Sequence, residues 1–247
     1  MNLKQTLAEL ERLGTAQNRK VYARHGVRGP AYGVSFANLG KLVKTIRVDQ
    51  QLAEGLWKSG NHDARVLATM IADPNAISSR QLDAWARDVD NYVVADALSG
   101  LVAKSPQARR KFEVWSRRKG EFVAQVAWNV FSHLTRSDAD LPDSYFERQL
   151  EVIERQIHQR PDRTRYAMNL GLIAIGIRNA GLEKKAIAAA KRIGQVEVDH
   201  GETGCKTPDA IPYIQRARKR LADRAKKVSK KAKTRATKKG GRKAARG

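Results

Sequence analysis

The sequence predicts an all-α protein, and three observations carry that prediction. Apolar residues recur at helical spacing in segment after segment up to about residue 215. The breaks between these segments are short and rich in Gly, Pro, Asn and Asp. No short run shows the apolar-polar alternation of a strand bounded by turns.

In chain order, Leu3, Leu7, Leu10 and Leu13 form the first stripe, and HGVRGPAYGV breaks the chain after it. Leu39, Leu42, Val43 and Ile46 form a second; Leu52, Leu56 and Trp57 a third, closed by KSGNHD; Val66, Leu67, Met70 and Ile71 a fourth. Each spacing predicts an amphipathic helix. The break ADPNAISS follows, where Ser78 or Ser79 can cap the next helix. Later helices are expected in pairs: YVVADALSGLVAK with FEVWS, EFVAQVAWNVFSHL with YFERQLEVIERQI, and YAMNLGLIAIGIRN with LEKKAIAAAKRIG. Thr207, Pro208 and Asp209 read as N-cap, N1 and N2 of a last helix. Short connections make neighbouring helices pair, and pairs repeated along a chain predict a curved α-solenoid of HEAT-like units over residues 1–215. A compact bundle is the alternative. Trp57, Trp85, Trp115 and Trp128 adjoin apolar stripes and are expected in the core.

Charge separates this body from its C-terminus. The chain carries +23, of which residues 216–247, with 16 Lys and Arg against Asp223 alone, hold +15, leaving +8 for residues 1–215. KKVSKKAKTRATKKGGRKAARG has too few apolar side chains to offset the entropy of ordering, so the tail is expected to be helical at its start and then disordered. Such a surplus favours a polyanion, with nucleic acid leading. Neutralising about ten phosphates would make affinity fall with log salt at a slope near −9, without sequence preference. Cys205 is the only cysteine and cannot form an intrachain disulfide, and MNLKQTLAELERLG lacks the apolar core of a signal peptide. An intracellular protein is expected, cytoplasmic and nucleoid-associated. No window has the apolar length of a membrane span, so no membrane partner beyond peripheral electrostatic contact is expected.

Asp96 is an isolated carboxylate in an aliphatic run. At 100° per residue Val94, Leu98, Leu101 and Val102 share one face, and Asp96 points away beside Tyr92, Ser99 and Gly100. By its residues alone it reads as a solvated acid, as one pairing with a cation of the next helix, or as a group on a functional face.

The segments HGVRGPAYGVSFANLGKLVK, LWKSGNHDARVLATMIADP, DNYVVADAL and WSRRKGEFVAQVAWNV resemble the DNA alkylation repair family, HEAT-like glycosylases that excise cationic alkylated purines. The resemblance covers about residues 1–200. It implies a solenoid gripping double-stranded DNA, with no metal or organic cofactor and no need for a deep base pocket; a monomer is expected. It places the catalytic carboxylate on Asp96, with Tyr92 where the family has tryptophan. Purines of the 3-methyladenine and 7-methylguanine type are good leaving groups, so one carboxylate facing the oxocarbenium-like sugar suffices. At about 4 Å and an effective dielectric near 20 it contributes about 4 kcal/mol. The phosphate-gripping arginine suggests Arg117 or Arg118, yet the phase of Phe122, Val126 and Val130 puts Gln125 at that position. The second cleft tryptophan falls near Leu172, and Arg165 or Arg178 could compensate for Gln125.

Other clusters lead elsewhere. Glu113, Arg117 and Glu121 at i, i+4, i+8 read as a solvated ion-pair ladder, which frees Arg118 or Lys119 for phosphate. Asp199, His200, Glu202 and Cys205 lack the paired spacing of zinc sites, so no metal is expected there; GETGCK reads as a Gly-rich turn, with Lys206 near a helix start able to meet a phosphate. Three functions follow: a DNA glycosylase using Asp96 with Tyr92, Gln125, Arg118 and Lys119 on DNA; a noncatalytic DNA-binding relative; or a helical adaptor for protein or RNA.

Overall fold

The computed structural model describes residues 1–224, 226 and 227. Among the described residues all regular structure is helical: α1 (Leu3–Leu13), α2 (Ala16–Arg24), α3 (Phe36–Ile46), α4 (Gln50–Lys58), α5 (His62–Ile71), α6 (Ser79–Asp88), α7 (Tyr92–Val102), α8 (Ala108–Trp115), α9 (Glu121–Ser137), α10 (Asp143–Gln156), a 3-10 turn at Ile157–Gln159, α11 (Asp162–Arg178), α12 (Ala180–Ile193), and α13 over 210–224. The polar breaks start helices by supplying caps. Side-chain oxygens of Asn2, Thr15, Ser35, Asp49, Asn61, Ser78, Asn91 and Asn179 accept from amides that the first turn leaves unpaired, each contributing about 1 kcal/mol.

The helices build a curved solenoid of HEAT-like repeats. α5, α7, α9 and α11 pack side by side as an inner layer, with α4, α8 and α12 behind α5, α9 and α11. Their hydrogen bonds give the direction. Gln125 of α9 reaches Tyr92 of α7, and Asn129, one turn on, reaches Asp96, also one turn on. Contacts that advance together in both chains require parallel helices, so the inner helices bring their N-termini to one edge. α9 and α11 are buried on several sides because each has neighbours left, right and behind. The four tryptophans are all core, with Trp57 and Trp85 stacked at 4.3 Å.

Several expectations need correction. α2 escapes a periodicity reading because its only buried side chain is Tyr22. The last helix begins at 210, with Asp209 accepting from the Ile211 amide; the Pro208 carbonyl is instead taken by Asn169, and Thr207 meets His200. The Glu113, Arg117, Glu121 ladder does not exist, because α8 ends at Trp115 and SRRKG turns the chain before α9. Glu113 pairs with Arg109, and Glu121 accepts the Arg163 backbone amide. Residues 228–247, on which the expected disorder of the tail falls, lie outside the described residues.

The segment after α2 is held down by Asp63. This carboxylate, fully buried in the first turn of α5, accepts from the amides of Tyr32 (2.7 Å), Gly33 (3.0 Å) and Val34 (2.8 Å). Gly33 has φ +81, and a Cβ there would sit 2.5 Å from the Thr15 carbonyl oxygen, so both backbone hand and space demand glycine. The Tyr22 hydroxyl donates to the Val34 carbonyl and ties α2 to the same segment.

Candidate nucleic-acid interface

Tyr92 and Asp96 stand one turn apart at the start of α7, on the side away from Val94, Leu98, Leu101 and Val102, all of which are buried. Asp96 Oδ1 accepts from Gln125 Nε2 at 2.8 Å and Asn129 Nδ2 at 2.7 Å. It pairs with neutral amides rather than with a cation of the next helix. The residue is exposed, while its carboxyl group sits close among neighbouring protein atoms. Burial pushes its pKa up to about 6; the two amides and the nearby Arg163 charge pull the other way without cancelling it. The group is mostly ionised at neutral pH.

Gln125 does not stand where a phosphate would reach it. It is 3% exposed, and its Nε2 is taken by Asp96 and by the Tyr92 carbonyl at 3.3 Å, so it positions the carboxylate. Apolar neighbours on several sides of α9 hid that burial from a reading of helix phase. Leu172 is core, and Arg165 and Arg178 are spent on backbone carbonyls. The cation at the site is Arg163. Its guanidinium lies 4.0 Å from the Tyr92 ring centroid, and among the described residues no carboxylate or carbonyl takes its side-chain donors. Tyr166, one turn further along α11, is close enough for the charges of Asp96 and Arg163 to act on its hydroxyl, whose pKa burial raises. Arg163 and Tyr166 were legible only as another aromatic and charge on one helical face.

Two walls flank this cluster. On one, His25, which caps α2, meets the Tyr92 hydroxyl through Nδ1. On the other, the loop after α12 lays His200 edge-on against Tyr166 at 5.4 Å and brings the exposed, free Cys205 near Tyr92 and Tyr166. Within that loop Asp199 accepts from the Gly201 amide and His200 Nε2 meets Thr207, while His200 Nδ1 is buried without a partner. Arg118 and Lys119 are exposed on the turn between α8 and α9. Lys119 lines a cavity of about 760 Å³ there, and a second of that size lies between α11, α12 and the loop.

Residues 6–214 match the family model described as DNA alkylation repair enzyme. The chain belongs to the DNA alkylation repair family. Two similar relatives of this family member are uncharacterized proteins of Listeria. That of Listeria innocua is 30% identical over 221 residues, covering 86% of this chain and 96% of the relative. That of Listeria monocytogenes is 30% identical over 220 residues, covering 86% and 95%. A solved structure, described as a new family of proteins related to the HEAT-like repeat DNA glycosylases with affinity for branched DNA structures, superposes with a TM-score of 0.82 at 31% identity, covering 89% of this chain and 95% of that one.

The raised pKa of Asp96 gives a stability test specific to this family member. A carboxyl whose folded pKa lies above its unfolded value binds more protons when folded, so its contribution to stability declines as pH rises from about 4 through 6. Asp96→Asn removes that decline. The variant is expected to equal or exceed the wild type by at most about 1 kcal/mol, after screening at this exposed residue, with the difference growing across this window and constant above it. Urea unfolding at a series of pH values measures it; a variant less stable at pH 8 than at pH 4, relative to wild type, would contradict the assignment.

Proposed function

We propose that this chain binds DNA through the groove around Tyr92, Asp96 and Arg163, and binds branched DNA more tightly than linear duplex. The unspent guanidinium of Arg163 carries this reading. Arginine presents donors in a fixed fork that suits phosphate, and stacking on Tyr92 holds that fork at the groove. It also covers the ring face on which a cationic base would lie, and two cations there repel. The affinity of the similar structure for branched DNA and the +23 charge point the same way. Anisotropy titration of a three-way junction and of a duplex of equal length tests it. The junction is expected to bind at least fivefold tighter, with a log-log salt slope approaching −9 when the tail engages about ten phosphates. Equal affinity for both, or no binding, would overturn it.

One observation favours a second reading, base excision. Asp96 is exposed and mostly ionised at neutral pH, as a carboxylate must be to steady an oxocarbenium-like sugar. Release of 3-methyladenine from methylated DNA by wild type and not by Asp96→Asn would support it, with activity falling on the acid side near pH 6. Release by neither protein leaves a DNA binder, and release by both alike removes Asp96 from the chemistry.

A further inference from the structure

Arg160 and Arg163 bracket the start of α11 and serve different surfaces. Arg163 meets Tyr92 in the groove, whereas Arg160 lines the cavity of about 760 Å³ between α8, α10 and the turns that follow α8 and α10. Arg160 is fixed there: one terminal nitrogen donates to the Ser116 carbonyl at 3.0 Å and the Arg118 carbonyl at 2.8 Å. Its Nε is buried and has no protein acceptor. Arg117 and Lys119 add two exposed cations to the lining, and Gln149, Gln156 and Gln159 supply amides from the opposite side. Glu113 also lines the cavity, but it is ion-paired with Arg109 at 3.0 Å. The lining is therefore cationic and amide-rich, a composition suited to a phosphodiester backbone.

We infer that this cavity is a second backbone site, which receives an arm of branched DNA while another arm lies in the groove. The proposal rests on the branched-DNA reading and supplies its structural basis. Arg163 lies three positions after Arg160, so their Cα atoms are no more than about 11 Å apart. One surface belongs to the inner layer and the other opens between outer helices, round the edge formed by the N-termini of α9 and α11. A linear duplex, with a persistence length of about 150 bp, resists turning that edge. A junction turns it without bending, because its arms already diverge.

Arg117→Glu combined with Gln156→Glu puts two acids into the cavity and leaves every residue of the groove intact. In the full chain, titrated against a three-way junction and a duplex of equal length, this variant is expected to bind the junction about tenfold more weakly and the duplex within about twofold of wild type. Lys184→Glu, an exposed change on α12 that lowers net charge by 2 against the double variant's 3, controls for negative charge added away from the cavity and is expected to alter neither. Three outcomes overturn the proposal: equal loss on junction and duplex, no loss on either, or the same loss from Lys184→Glu. A wild type without junction preference defeats the functional reading itself, before any variant is compared. An unchanged thermal midpoint shows that the variant folds.

Discussion

Asp63→Ala is expected to lower stability by about 3–5 kcal/mol. The carboxylate is fully buried and accepts three backbone amides, from Tyr32, Gly33 and Val34, which then lose their acceptor, the last two in buried surroundings. Unsatisfied buried donors cost about 1–3 kcal/mol each, moderated by relaxation of the segment. At about 2–4 °C per kcal/mol for a chain of this size, the thermal midpoint falls by roughly 10 °C. Asp63→Asn keeps one oxygen but turns an NH2 toward at least one of the same amides, so it falls between the two. The effect reaches the site, because the same segment anchors α2 through the Tyr22 hydroxyl, and His25 at the end of α2 meets the Tyr92 hydroxyl. A loss below about 1 kcal/mol on urea unfolding would show that the segment holds itself down by other means.

The fold was legible because burial on a helix leaves a period in the sequence. The stripes from Leu3 to Ile71 and the six later segments correspond to observed helices, but of the expected pairs only α11 with α12 packs closely, α8 lying instead against α9 and α10 against α12; α2 was missed because a mostly polar helix leaves no such record. Capping was legible too: Ser78 accepts from the Gln81 amide as its position suggests. The Tyr92 and Asp96 arrangement could be read because both lie on one helix, where sequence spacing fixes geometry. Relations between helices could not. Arg163 reaches Tyr92 across a gap of 71 positions, and nothing local separates it from Arg160 or Arg165, which differ only in the phase at which α11 starts. The same limit explains Gln125, whose position beside Asp96 depends on α7 and α9 running parallel in register. Asp63 was hidden for a related reason, since its partners are backbone amides about 30 positions away.

Arg163 is where the account can be broken most directly. Arg163→Glu replaces the only guanidinium stacked on Tyr92 among the described residues with a carboxylate facing Asp96, while the backbone amide that Glu121 accepts from is retained. On the proposed reading the exchange removes a phosphate contact and introduces repulsion toward the DNA backbone, together about 2–3 kcal/mol. The decisive measurement is three-way-junction affinity of the full-length variant at about 0.15 M salt, where bulk charge is screened beyond roughly 8 Å. The account expects binding weakened thirtyfold or more with the fold intact by circular dichroism; affinity within twofold of wild type would mean that DNA does not lie in this groove.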